Sequence, residues 1–210
     1  MSKRTRPVLG RQAKLKIALA FLPVALTVVL VVGLLQMRTP NGLPPIGGIG
    51  GPFKLVDQRG KTVTDKDYLG KPRLVFFGFT FCPDVCPTTL YELTTQLKEL
   101  GKAADRLNIL FITVDPDRDT PEQLALYLSS FDPRINGLSG SSADVASVMR
   151  EYGAFAKKAP LEGGGYTMDH SASIYMMNAK GQFVGLMNYQ EPETTMRAKL
   201  KRLLDDGATS

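Results

Sequence analysis

The stretch Phe76-Phe77-Gly78-Phe79-Thr80-Phe81-Cys82-Pro83-Asp84-Val85-Cys86-Pro87-Thr88-Thr89-Leu90 constrains this chain most, because it holds both cysteines of the 210 residues. The apolar run at 74–79 predicts a strand of the parallel type, buried on both faces. Leu90, Leu93, Leu97 and Leu100 recur at helical spacing and predict a helix after it. The two thiols therefore sit where a strand hands over to a helix. Pro87 suits the first helical turn, where its missing N–H costs nothing. The free amides and the dipole of a helix start favour a thiolate. Three residues separate Cys82 from Cys86, a spacing that lets the sulfurs close a disulfide or grip one metal ion. Two unrelated buried cysteines are the alternative.

Charge divides the chain. Seven of the 26 Lys and Arg, and no acid, lie in the first 38 residues, which leaves 19 bases against all 20 acids in the rest. The net charge of +6 thus belongs to the N-terminus. The remainder lacks the basic excess that a nucleic-acid partner would need. Residues 17–35 carry no charge, and as a helix they would span roughly 28 Å, enough for a hydrocarbon core. The run ends in Gln36-Met37-Arg38-Thr39-Pro40 without a small-x-small cleavage site, so an uncleaved anchor at 17–36 is expected rather than a signal peptide. Six bases precede it, which puts 1–16 in the cytoplasm and the rest across the membrane. The expected setting is a bacterial inner membrane with a periplasmic domain. A mitochondrial inner membrane facing the intermembrane space obeys the same physics. Residues 37–52 read as a Gly/Pro-rich linker that lifts a domain at 53–210 off the membrane.

Along that domain, 53–56 and 62–64 predict a hairpin, 107–114 a second apolar strand, and 142–152 a helix. Thr120 and Pro121 open a helix expected to reach about Phe131. A hairpin over 173–177 and 182–187 and a helix over 193–204 follow. The order gives an α/β class with a mixed sheet flanked by helices. It looks like a thioredoxin fold with an added N-terminal hairpin and an inserted helix. In such folds the loop before the strand expected at Ser173 faces the cysteine pair. Here it is Gly-rich, with Gly163-Gly164-Gly165, and it carries His170, the one histidine.

Two thiolates and one imidazole form a soft, three-coordinate set that suits Cu(I). Zinc would want a fourth ligand or an open water position, and neither a third Cys nor a second His exists to supply a ligand. Asp169 is a neighbour that could orient the imidazole, although adjacent residues of an extended segment point to opposite sides. Asp84 reads as a turn cap, and Asp115 and Asp119 as a turn network around Arg118. Among the methionines only Met168 lies near His170, and packing explains the others. Phe76, Phe77, Phe79 and Phe81 are expected to be core and site wall.

Four landmarks stand in order: Gly51-Pro52-Phe53-Lys54-Leu55-Val56-Asp57, the cysteine stretch at 77–87, Asp115-Pro116-Asp117-Arg118-Asp119-Thr120-Pro121, and Asp169-His170-Ser171. Together they resemble the Sco/SenC family of membrane-anchored copper proteins over about 51–204. The resemblance implies a thioredoxin-like domain holding one copper ion, as Cu(I) or Cu(II), on Cys82, Cys86 and His170. It also implies a role in assembling the binuclear copper centre of cytochrome c oxidase subunit II. Phe81 departs from the family, many members of which have His there. Two functions follow. One is a copper chaperone, partnered by subunit II or another acceptor and by a periplasmic copper donor. The other is a thiol–disulfide oxidoreductase using Cys82 and Cys86 on the acceptor's cysteines, sustained by a thiol reductant. Peroxide reduction or redox sensing rests on the same thiols, a purely structural disulfide is the remaining option, and a monomer is the default.

Overall fold

The computed structural model describes residues 48–206. The expected anchor at 17–36 lies outside them, and among the described residues no helix is long and apolar enough to cross a membrane. The end of the expected linker is not free. Gly50 is buried and donates its N–H to the Glu151 carbonyl at 2.6 Å.

Among the described residues, nine strands form: β1 (Lys54–Asp57), β2 (Thr62–Thr64), β3 (Arg73–Gly78), β4 (Asn108–Thr113), β5 (Ile135–Ser139), β6 (Ala156–Pro160), β7 (Tyr166–His170), β8 (Ile174–Met177) and β9 (Phe183–Met187). Four α-helices accompany them: α1 (Val85–Leu100), α2 (Pro121–Leu128), α3 (Ser142–Tyr152) and α4 (Glu193–Asp206). Seven strands make one mixed sheet in the order β2-β1-β5-β4-β3-β8-β9, and β6 and β7 pair separately. β3, β4 and β5 run parallel at its centre, while β8, β9, β1 and β2 join antiparallel.

β3 is buried at all six positions, as a strand covered on both faces must be. Phe76 pairs in register with Phe111 on one face. That face is covered by α1, which buries Leu90, Leu93 and Leu97, and by Tyr127 of α2. α4 lies beside α1, with Arg197 bonded to Gln96 and Glu99. On the opposite face Phe77 meets Tyr152 of α3, at 5.5 Å between ring centroids.

Local signals behave as expected where they are strong. Thr120 accepts the Gln123 amide at the start of α2 and Pro121 takes the first turn; the helix stops at Leu128, short of Phe131. Two elements depart from the expected order. β5 completes the parallel core between α2 and α3. The glycine-rich loop is the turn of the β6–β7 hairpin, with Gly163, Gly164 and Gly165 all at positive φ.

Candidate metal centre

Both cysteines lie beyond the carboxyl end of β3, where open α/β sheets present their sites. Cys86 is fully buried and Cys82 half-buried. Gly78 makes the buried position available. A Cβ there would lie 2.6 Å from the Phe111 ring and 2.8 Å from Cys86 Sγ. The loop between β3 and α1 is tied down from the next crossover. Asp119, fully buried, accepts from the Thr80 amide at 3.0 Å and from the hydroxyls of Thr80 and Thr113 at 2.7 and 2.6 Å. Burial pushes the Asp119 carboxyl up against the pull of these donors. The turn network expected for Asp115 and Asp119 is present, and it reaches across to the cysteine loop.

His170 is the last residue of β7, paired with Ala156, rather than part of a loop. Its Nε2 lies 3.5 Å from Cys86 Sγ. Its Nδ1 lies 2.9 Å from the Ser171 carbonyl. A proton on Nδ1 donated to that oxygen leaves the Nε2 lone pair facing the sulfurs. Phe79 meets the imidazole edge-on at 5.6 Å between centroids, and Phe76 lies at 6.4 Å. The ligand atoms of Cys82, Cys86 and His170 all fall within 4.8 Å of one another. Cys82 and His170 border a cleft of about 350 Å³ that Met168 also lines.

The thiols are electrostatically unequal. The hydrogen bond from Cys86 draws the Cys82 thiol well below the ordinary thiol value. The backbone amides of Cys86 and Asp84 add to this against partial burial. The Cys86 amide lies 3.4 Å from Cys82 Sγ, as a free N–H of the first helical turn can. Cys86 shifts upward because it keeps the proton it donates to Cys82 and because it is buried. The pair thus holds one proton between two sulfurs, with the negative charge on the accessible one.

The remaining residues sort by geometry. Asp169 is exposed and its neighbour's Nδ1 takes the Ser171 carbonyl instead. Asp84 occupies the cap position of α1 without bonding a helix amide through its side chain, which accepts from the Thr88 hydroxyl at 3.3 Å. Phe81 is not core: it is 52% exposed, with the Arg118 guanidinium 4.7 Å from its ring centroid. Sequence reasoning placed Arg118 in the Asp115–Asp119 turn but missed its reach to both the cysteine loop and β7. Its place in the Asp115–Pro121 landmark was the one available signal.

A family model described as SCO1/SenC matches residues 45–205. The solved structure of Bradyrhizobium japonicum ScoI with copper bound is 54% identical, with a TM-score of 0.69 over 74% of this chain and 99% of that one. BsSco, described with a disulfide switch and as a member of the Sco family of cytochrome c oxidase assembly proteins, is 26% identical. Its TM-score is 0.61 over 77% of this chain and 96% of that one. The SCO2 homolog of Danio rerio, a mitochondrial protein, is 36% identical over 80% of this chain, which spans 61% of that relative's length.

Proposed function

This chain belongs to the SCO1/SenC family, and on that premise we propose that it is a copper chaperone whose cargo rides on Cys82, Cys86 and His170. The observation that carries the reading is the convergence of two sulfurs and one imidazole nitrogen within 4.8 Å. Soft sulfur donors in a low-coordinate set favour Cu(I). Phe76 and Phe79 pack against the imidazole and narrow the room for further ligands. The copper-bound relative supports the same choice of metal.

Release follows from the unequal burial of the donors. Cys82 borders the open cleft and Cys86 does not. A thiolate or imidazole of an acceptor therefore meets the ion from the Cys82 side, and ligands exchange one at a time without a change of oxidation state. The acceptor we propose is the binuclear copper centre of cytochrome c oxidase subunit II. We place the domain outside a bacterial inner membrane, or equivalently in a mitochondrial intermembrane space, held there by an anchor at 17–36.

The polarised thiol pair favours a second activity of the same residues. The Cys82 thiolate attacks an acceptor disulfide and forms a mixed disulfide, expelling one acceptor thiolate. Cys86, once deprotonated, attacks the Cys82 sulfur and frees the second acceptor thiolate. The acceptor gains two electrons, Cys82–Cys86 becomes a disulfide, and a dithiol reductant must restore it. The disulfide and the copper-loaded form exclude each other.

The deciding experiment titrates Cu(I) into the reduced full chain against a competing chelator, beside His170→Ala. One tightly held ion, weakened by about 10-fold or more in the variant, is the expected result. Binding indifferent to His170 would overturn the three-ligand site and leave thiol exchange as the main activity.

A further inference from the structure

The hairpin that carries His170 has no ladder to the main sheet. Among the described residues, the side-chain bonds that tie it to the rest of the fold, apart from the Cys86–His170 contact, converge on the turn after β4. The Tyr166 hydroxyl donates to Asp115 Oδ1 at 2.9 Å. Arg118 Nη1 donates to the Tyr166 carbonyl at 3.0 Å, and Arg118 Nε is paired with the fully buried Asp115 carboxylate. Lys158 of β6 reaches Asp117 at 2.7 Å, but both partners are exposed and such a pair contributes little.

Arg118 differs because its planar face is occupied too. Its guanidinium carbon lies 3.9 Å from the Tyr166 ring centroid, 4.7 Å from that of Phe81 and 5.9 Å from that of Phe79. Its Nη2 is buried with no hydrogen-bond acceptor, an arrangement that contact with aromatic faces compensates. Tyr166 begins the strand that ends at His170, and Phe81 immediately precedes Cys82. One guanidinium therefore bridges the segment that supplies the accessible sulfur and the strand that supplies the imidazole.

We propose that Arg118 is the positioning residue of the metal site: through Asp115, Phe81 and Tyr166 it latches the β6–β7 hairpin down, so that His170 Nε2 stays within reach of the sulfurs. The inference rests on the copper reading above for its consequence, though not for its geometry. When the latch opens, the hairpin lifts and the site falls back to two sulfurs. Lysine cannot replace it, since an ammonium has neither the flat face nor the fixed fork that holds a carboxylate and a carbonyl together.

The test uses the full chain with Arg118→Lys and with Tyr166→Leu. The second variant leaves the buried Asp115–Arg118 pair and the Arg118 bond to the backbone carbonyl of residue 166 in place and removes the ring and hydroxyl that the latch grips, so it keeps the proposal testable if the first folds poorly. Amide hydrogen exchange of the reduced, metal-free protein should quicken across β6 and β7 while β3 and β4 keep their protection. Cu(I) affinity should fall by ~10-fold. In a His170→Ala background the same changes should cost nothing further, since the latch acts only through the imidazole. Unchanged hairpin exchange, or an affinity loss of equal size without His170, overturns the latch. If the unaltered chain fails to bind Cu(I), the copper reading falls instead, and the exchange measurement alone decides whether Arg118 holds the hairpin.

Discussion

The two halves of the site are built to opposite specifications. The thiol half rests on β3 and α1: every β3 residue is buried, and Cys86 lies against Gly78. The imidazole half rests on two strands with no fully buried position between them, paired with each other and held by side chains. The first half is part of the core; the second joins it through side chains alone, and the latch proposed above lets it move by itself. A carrier must hold its ion and also let go, and a site with one fixed wall and one hinged wall can do both.

Substitutions on each side separate the two halves. The largest effect is expected from Cys86→Ala, which removes the fixed donor. Cu(I) affinity should drop further than the ~10–100-fold typical of changes around a ligand, and further than in His170→Ala; equal losses in the chelator competition would erase the distinction between the halves. Next comes Gly78→Ala. Its new methyl meets Phe111 and Cys86 Sγ at under 3 Å, so global stability to denaturant should fall by about 1–3 kcal/mol, with copper affinity falling alongside.

The same substitution in the hairpin turn, Gly164→Ala, meets nothing within 4 Å and suffers only from a φ of +98°. The strain amounts to about 1–2 kcal/mol. It should be relieved by hairpin opening, visible as faster exchange in β6 and β7 with little shift of the denaturation midpoint. A full shift of the midpoint would mean that the hairpin and the core unfold as one unit.

The smallest effect is the pH dependence of the reduced form. Cys82 is lowered in the folded state, so below the ordinary thiol value of about 8.5 the unfolded chain binds the extra proton. Stability then rises with pH from the depressed Cys82 value up to that point. Cys86 is raised, so above it the folded state binds the extra proton and stability falls. Thermal melts of the reduced protein, taken as a difference from Cys82→Ala, should rise with pH through this lower window. A flat difference would contradict the shared proton.

Much of the thiol half was legible because its signals are contiguous. The apolar run, the two cysteines, Pro87 and the leucine spacing lie within 27 residues of sequence, from Leu74 to Leu100. The structure puts β3 and α1 there. Of the hairpin half only His170 was legible, through the likeness to a thioredoxin fold; its two strands were not. β6 reads Ala-Lys-Lys-Ala-Pro, without the β-branched or aromatic pattern that marks a strand, and it is a strand only because β7 pairs with it. β5 hid for a related reason: Ile-Asn-Gly-Leu-Ser is short and carries a glycine, yet β4 and β1 on either side supply its ladder. Phe81 was misplaced by composition, since an aromatic residue in an apolar run reads as core until Arg118 is seen across from it.

Residue order alone sets the chemistry on offer: two thiols at a helix start, one histidine, and four ordered landmarks that carry the family resemblance. Those depend on neighbours along the chain, which residue order specifies directly. Tertiary packing added that His170, 84 positions from Cys86, lies on a strand rather than in a loop, that the two thiols are shifted in opposite directions, and that Arg118 joins the two walls. These depend on which distant surfaces are pressed together and kept from water, and no local pattern encodes that.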